Sequence, residues 1–197
     1  RLQNFPRAVP DSAGIPESVE DAMLVAPFND PDFAESLIDE HGGDIAGIIV
    51  EPLQRLIPPA PGFLETLRAK ADEHGILLIF DEVVTGFRLA YGGAQEAYGV
   101  TPDLCTLGKI IGGGMPLAAI AGREEIMRHF DKSAVGEEGF TFQTGTLSGN
   151  PLASIAGLKT LEILRRPNAY ETLHANGKRL MTAMSNPLTA HSITRLS

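Results

Sequence analysis

Two short apolar runs constrain this chain more than anything else in it. IAGIIV (45–50) and ILLIF (76–80) are rich in branched aliphatic residues and show no polar alternation. A strand that is apolar on both faces has to be covered on both faces, as in a parallel sheet between helices. The segment between them places Phe63, Leu64, Leu67 and Ala71 on one helical face, with Pro61 at its start and Gly75 at its end. An earlier helix begins at Asp30-Pro31, where a side-chain acceptor at the N-cap is followed by Pro at the first helical position. Phe33, Leu37 and Ile38 share its face and Gly42-Gly43 stops it. The order helix, strand, helix, strand predicts an α/β fold with a largely parallel sheet.

The pattern continues beyond residue 100. Leu104–Leu107 and Leu117–Ala121 are short apolar runs, and Arg123–Phe130 reads as a short amphipathic helix. Asn150-Pro151 repeats the helix-start signal, and Leu152, Ile155, Leu158 and Leu161 carry that helix to about Leu164. Residues 1–29 are polar and Pro-rich and read as loop with one short strand near Met23–Ala26. With 197 residues, 43% of them hydrophobic, the chain supports one substantial core. A net charge of −9 argues against nucleic acid or anionic membrane as partners. No apolar run reaches the roughly 20 residues of a membrane span. Cys105 is the one cysteine and cannot form an internal disulfide, which fits a reducing, cytoplasmic compartment. The opening RLQNFPRAVPDSAG lacks the apolar core of a secretory signal and has no initiator Met.

Chemistry enters at the strand ends. ILLIF runs into Asp81 and Glu82, and ligands of open α/β sheets bind beyond the carboxyl ends of strands. A lone Asp there usually caps a helix or turn; the sharper reading gives it a cationic ligand, because a buried unpaired carboxylate is costly. Lys109 lies between Gly108 and IIGGG, where glycines remove bulk. It is either a surface lysine or an amine in a poorly hydrated site, where its pKa would fall and it could form Schiff bases. Ile110 follows it, so this is no phosphate loop of the GxxxxGK[ST] kind. Gly145-Thr146 precedes Asn150-Pro151, and helix-start amides plus a hydroxyl suit an anion. An acid, an amine and an anion site are the handles for the ring nitrogen, aldehyde and phosphate of pyridoxal phosphate.

The stretches IIVEP (48–52), PPAPGFLETLR (58–68), LLIFDEVVTGFR (77–88), GVTPDLCTLGKIIGGGMPLAAIAGR (99–123) and GTLSGNPLASIAGL (145–158) together resemble class III pyridoxal-phosphate aminotransferases, most of all the glutamate-1-semialdehyde aminomutase branch. The resemblance implies a fold-type I large domain on a mostly parallel seven-stranded sheet. It implies that Lys109 forms the internal aldimine, that Asp81 keeps the pyridine nitrogen protonated, and that Val83 packs beneath the ring. It further implies that Gly145 and Thr146 contact phosphate across a homodimer interface. Glu51 matches an acid near the site. Glu82 and Arg88 are expected to be structural, as an ion pair, and Gly112–Gly114 to turn the backbone beside the lysine.

The chain also departs from the family pattern. The family's upstream phosphate turn and ring-stacking aromatic have no counterpart here, and neither does its small C-terminal domain. The chain therefore reads as a fragment, with 1–185 a partial cofactor-binding domain and 186–197 an unassigned tail. Where ornithine and 4-aminobutyrate relatives read EPxQGE, this chain reads EPLQRL, so Leu56 stands in place of the second gating acid. The implied activity is amino-group transfer between an amine or amino acid and an oxo acid, aldehyde or ketone. The alternatives are intramolecular transfer, as in the aminomutase, and a non-catalytic remnant. A dinucleotide-binding module lacks its GxGxxG. His41 and His74 are read as capping helix ends, His129 as exposed, Cys105 as a buried small residue, and Glu137-Glu138 as a solvated loop. No metal site is expected.

Overall fold

The computed structural model describes residues 5–190, the last five by their backbone alone. Helices α1 (Glu17–Glu20) and α2 (Pro31–His41) precede strand β1 (Gly47–Val50). Then come α3 (Phe63–His74), β2 (Leu77–Glu82), α4 (Gly93–Tyr98) and β3 (Leu104–Leu107). A 3-10 turn over Lys109–Gly112 leads to β4 (Ala119–Gly122), α5 (Glu124–Met127), α6 (Lys132–Gly139), α7 (Pro151–Leu164) and α8 (Ala169–Ala190). The strands lie side by side in the order β1-β2-β3-β4. β1, β2 and β3 are parallel and β4 is antiparallel to β3. This is the expected α/β sheet, with four strands rather than seven among the described residues. The segment from Gly108 to Ala118 has no room for a crossover helix, so β4 returns antiparallel.

Two helix starts follow directly from side-chain chemistry. Asp30 accepts from the Phe33 amide at 3.1 Å, and Asn150 accepts from Leu152 and Ala153 at 3.0 and 3.2 Å. Pro31 and Pro151 occupy the positions where an amide would have no helical partner anyway. α3 starts at Phe63, later than Pro61, because Gly62 takes φ 86°, a conformation side chains disfavour. Asn29 ties the proline stretch to the start of α2: its Oδ1 accepts from Ala60 at 2.7 Å and its Nδ2 donates to Pro58 O at 2.9 Å.

The two faces of the sheet differ. Leu78, Phe80 and Cys105 point into the core with Ala34 and Ile38 of α2 and Phe63, Leu64 and Leu67 of α3. Leu77, Ile79 and Asp81 alternate to the other face and are only half-buried. β1 is not the buried strand expected of IAGIIV. It lies at the sheet edge and Ile49 is 62% exposed on the uncovered face. β2 extends past Phe80 through Glu82, so the two carboxylates belong to the strand rather than ending it.

Other expectations change in detail. Met23–Ala26 contributes a single bridge, Leu24 to Arg7. Arg123–Phe130 is split into α5 and a 3-10 turn. Glu137 lies in α6, paired with Lys132, rather than in a loop. α8, with Leu173, Leu180 and Met184 exposed, is unanticipated; it runs through position 185 to Ala190, and residues 191–197 of the expected tail lie outside the described residues. No helix among the described residues is long and apolar enough to cross a membrane.

Asp103, only 3% exposed, joins three elements at the amino ends of β2 and β3. Its Oδ2 accepts from the Leu78 amide at 2.8 Å and Arg68 at 2.9 Å, and its Oδ1 accepts from Arg123 at 2.8 Å. Burial pushes its carboxyl upward; the Arg123 guanidinium, the Leu78 amide and Arg68 outweigh that and hold it below the usual range. A depressed folded-state value means stability that is present above the ordinary carboxylate range and lost as pH falls through the folded value. Asp103→Asn should therefore cost about 2–4 kcal/mol near neutral pH and flatten the acid side of the stability curve. Urea unfolding from neutral pH down to about pH 3 checks both; an unchanged acid slope in the variant would refute the assignment.

Candidate functional site

β2 and β3 bring the candidate residues together by register. Asp81 pairs with Thr106, and Glu82 with Leu107. Lys109 follows two residues after β3, beyond its carboxyl end. The Asp81 side chain uses one oxygen only: Oδ1 accepts from the Val83 amide at 3.0 Å and from the Thr106 hydroxyl at 3.2 Å. No hydrogen bond reaches Oδ2 among the described residues. Oδ2 is also not among the sealed, unpartnered polar atoms, so it is open to a donor from outside.

Val83 closes the other side. Its Cγ1 lies 3.3 Å from where a Cβ on Gly108 would stand, so Gly108 lets Val83 press against the backbone next to Lys109. Lys109 has φ 48°, an uncommon conformation for a residue with a side chain. It is exposed, as the surface reading of a lysine among glycines has it. One of those glycines, Gly113, serves helix packing, and Gly157 on α7 meets the same turn. A Cβ on Gly113 would overlap Thr160 Oγ1 and stand 2.9 Å from Ala156 O, and one on Gly157 would stand 2.5 Å from Ile111 O. α7 thus rests directly on the turn that carries Lys109.

Glu82 points to the opposite face from Asp81 and is 1% exposed. Its partners are Thr85 Oγ1 at 3.0 Å, the Ala94 amide at 2.6 Å and Gln95 Nε2 at 2.9 Å. Arg88 is not among them, so the expected ion pair does not form. These neutral donors draw residues 83–93 into a closed loop, and Gly93 has no Cβ because Glu82 Oε2 occupies that space. The outer side of the loop is held by Tyr170, whose hydroxyl donates to Phe87 O at 2.9 Å, and by Arg165, which donates to Tyr91 Oη at 2.7 Å.

Gly145 and Thr146 lie in exposed turns before α7. No described hydrogen bond links them to Asp81, Val83 or Lys109. The first free amides of α7, those of Leu152 and Ala153, are taken by Asn150. The start of α7 is therefore not an open anion site. Glu51 follows β1, beside Asp81 in register, and accepts weakly from the Arg55 amide at 3.4 Å. Leu56 is 91% exposed.

The remaining titratable groups are structural. Asp39, Glu73 and His74 could converge on a metal, but the Lys70 ammonium already lies 2.8 Å from Asp39 and 3.0 Å from Glu73. The Asp39 carboxylate lifts that ammonium further above its ordinary value. His74 contacts Asp39 at 3.0 Å and His41 lies 3.8 Å from Glu40, so the expected carbonyl caps are replaced by carboxylates. His129 is exposed, with Nδ1 2.7 Å from Gly139 O. Burial, then Glu82, pushes the Cys105 thiol upward, so it stays neutral.

The class-III aminotransferase family pattern matches residues 6–195. The chain belongs to that family. Among solved structures, an omega-transaminase from Sphaerobacter thermophilus is 39% identical with a TM-score of 0.87, over 95% of this chain and 43% of that one. A transaminase with PLP bound is 31% identical with a TM-score of 0.85, over 94% of this chain and 43% of that one. A glutamate-1-semialdehyde-aminomutase from Pseudomonas aeruginosa PAO1, in complex with PMP, is 28% identical with a TM-score of 0.74, over 92% and 42%. This class-III chain thus spans less than half the length of each. The fold is that of the pyridoxal-phosphate transferases, and pyridoxal phosphate is the family's cofactor.

Three supporting residues of this aminotransferase chain escaped the sequence reading: Thr106, Arg165 and Tyr170. Only Thr106 carried a signal, its position two residues before the Gly108-Lys109 pair. Gly157 gives a test with a decisive sign. In a free helix Gly157→Ala would stabilise by up to about 1 kcal/mol. Here the new methyl meets Ile111 O and Leu117, so a net loss of about 1–3 kcal/mol is expected. Urea unfolding of the variant reads the sign.

Proposed function

We propose that the protein of which this chain is part transfers an amino group between an amine or amino acid and an oxo acid, aldehyde or ketone, using pyridoxal phosphate. The observation that carries this reading is that Asp81, with no described partner at Oδ2, and Lys109 both lie at the carboxyl ends of neighbouring parallel strands in a class-III aminotransferase chain.

The residues present fit the cofactor. Asp81 Oδ2 would accept from the protonated pyridine nitrogen, Val83 would pack on one ring face, and Lys109 Nζ would hold the aldehyde carbon. When bound, the cofactor supplies an electron sink for the substrate carbon that loses its proton. The protein's own part is placement and proton handling. Asp81 would keep the ring nitrogen charged, and the Lys109 amine would carry a proton from and back to the substrate. Thr146, exposed on its turn, would hold a phosphate oxygen of a neighbouring subunit's cofactor in a homodimer, with Gly145 giving that phosphate room.

The similarity to an aminomutase supports a second reading, transfer within one substrate molecule. An added oxo acceptor separates the two: a transaminase needs one for net turnover and an aminomutase does not. Borohydride reduction of the protein with pyridoxal phosphate, followed by peptide mapping, tests the site itself. The expected outcome is a pyridoxyl mass on the peptide containing Lys109 and none in Lys109→Ala. Asp81→Asn should weaken cofactor binding at least tenfold, read by absorbance titration. Label spread over surface lysines, with none at Lys109, would sink the reading.

A further inference from the structure

We propose that Thr106 is a positioning residue, fixing the Asp81 carboxylate so that Oδ2 alone faces the cofactor ring nitrogen; this rests on the cofactor reading above. The Asp81 side chain ends in a soft torsion, since the carboxylate plane rotates over a broad range. An ion pair with a ring N–H needs one oxygen held in the plane of the donor. Two donors act on Oδ1: the Val83 amide at 3.0 Å, supplied by the backbone, and the Thr106 hydroxyl at 3.2 Å. One comes from the turn after β2 and the other from β3, and together they fix the carboxylate plane where one donor would leave it a free swing.

Thr106 is well suited to this task. It is the direct cross-strand partner of Asp81 in the β2–β3 register. Its branched Cβ restricts the first side-chain torsion, so the hydroxyl has few other directions. That hydroxyl has no other described hydrogen bond, and Ile120, its partner on β4, offers none from its side chain. Thr106 therefore acts through Asp81, without touching the cofactor.

The test compares two ligands on the full chain: pyridoxal phosphate, and its analogue with carbon in place of the ring nitrogen. Thr106→Val removes the hydroxyl and keeps the shape; Thr106→Ser keeps the hydroxyl. Thr106→Val should weaken pyridoxal phosphate about tenfold, as expected for one hydrogen bond to a charged group. The analogue has no ring N–H for Asp81 to meet, so its affinity should change less than about twofold. Thr106→Ser should restore pyridoxal phosphate binding to near the wild-type level. Equal weakening of both ligands would mean that Thr106 only supports the fold, and no change for either would mean that the Val83 amide suffices; each overturns the proposal. Wild-type protein that binds neither ligand would overturn the cofactor reading itself, an outcome distinct from both.

Discussion

Asp103 is the constraint on which the sheet depends. It brings the first turn of β2, the helix behind the sheet and the end of β4 to one buried carboxylate, through Leu78, Arg68 and Arg123. Burying that charge is costly, and three donors from three elements compensate for it. Because β4 runs antiparallel, Arg123 at its end returns to the start of β3, where Asp103 sits. The anchor therefore lies at the amino end of the strands and the candidate site residues Asp81 and Lys109 at the carboxyl end. Strands of four to six residues separate them by roughly 13–20 Å. The buried Asp103 cluster and the candidate site are kept apart by the length of the sheet.

The adjacent acids Asp81 and Glu82 show how strand parity divides labour. Successive side chains point to opposite faces, so one carboxylate is accessible and the other is sealed in. Glu82 has no cation beside it and is satisfied by a hydroxyl, an amide and a carboxamide. It organises the loop that returns Val83 to Gly108. A shift of β2 by one residue would exchange the two acids, placing the loop organiser Glu82 on the accessible face and Asp81 in the core.

Legibility in the sequence followed the range of the interaction. Asp30-Pro31 and Asn150-Pro151 announce their helices because the caps act within three residues. β3 coincides with Leu104–Leu107 because an apolar run between turn residues has few alternatives. The family stood out through the ordered motifs around Asp81 and Lys109, and the family match bears out that recognition. Asp103 did not stand out, since Thr-Pro-Asp reads as an ordinary turn and its arginine partners lie 35 and 20 residues away. The edge position of β1 was equally hidden, since it depends on what covers a surface, which local pattern does not encode. α8 had a readable stripe in Leu173, Leu180 and Met184, interrupted by Gly177.

α7 touches both halves of the site. Gly157, near its middle, lies on the turn that carries Lys109, while Arg165, just past its end, grips Tyr91 in the loop that follows Asp81. A helix is a stiff rod with fixed rise and rotation per residue, so α7 acts as a ruler between these two grips. Between Gly157 and Arg165 it spans about 12 Å, a little over two turns, which leaves the two contacts on related sides of the rod. Adding or removing one residue there would swing one grip about 100° around the axis relative to the other. The spacing of this helix thus sets the turn that carries Lys109 against the loop that follows Asp81.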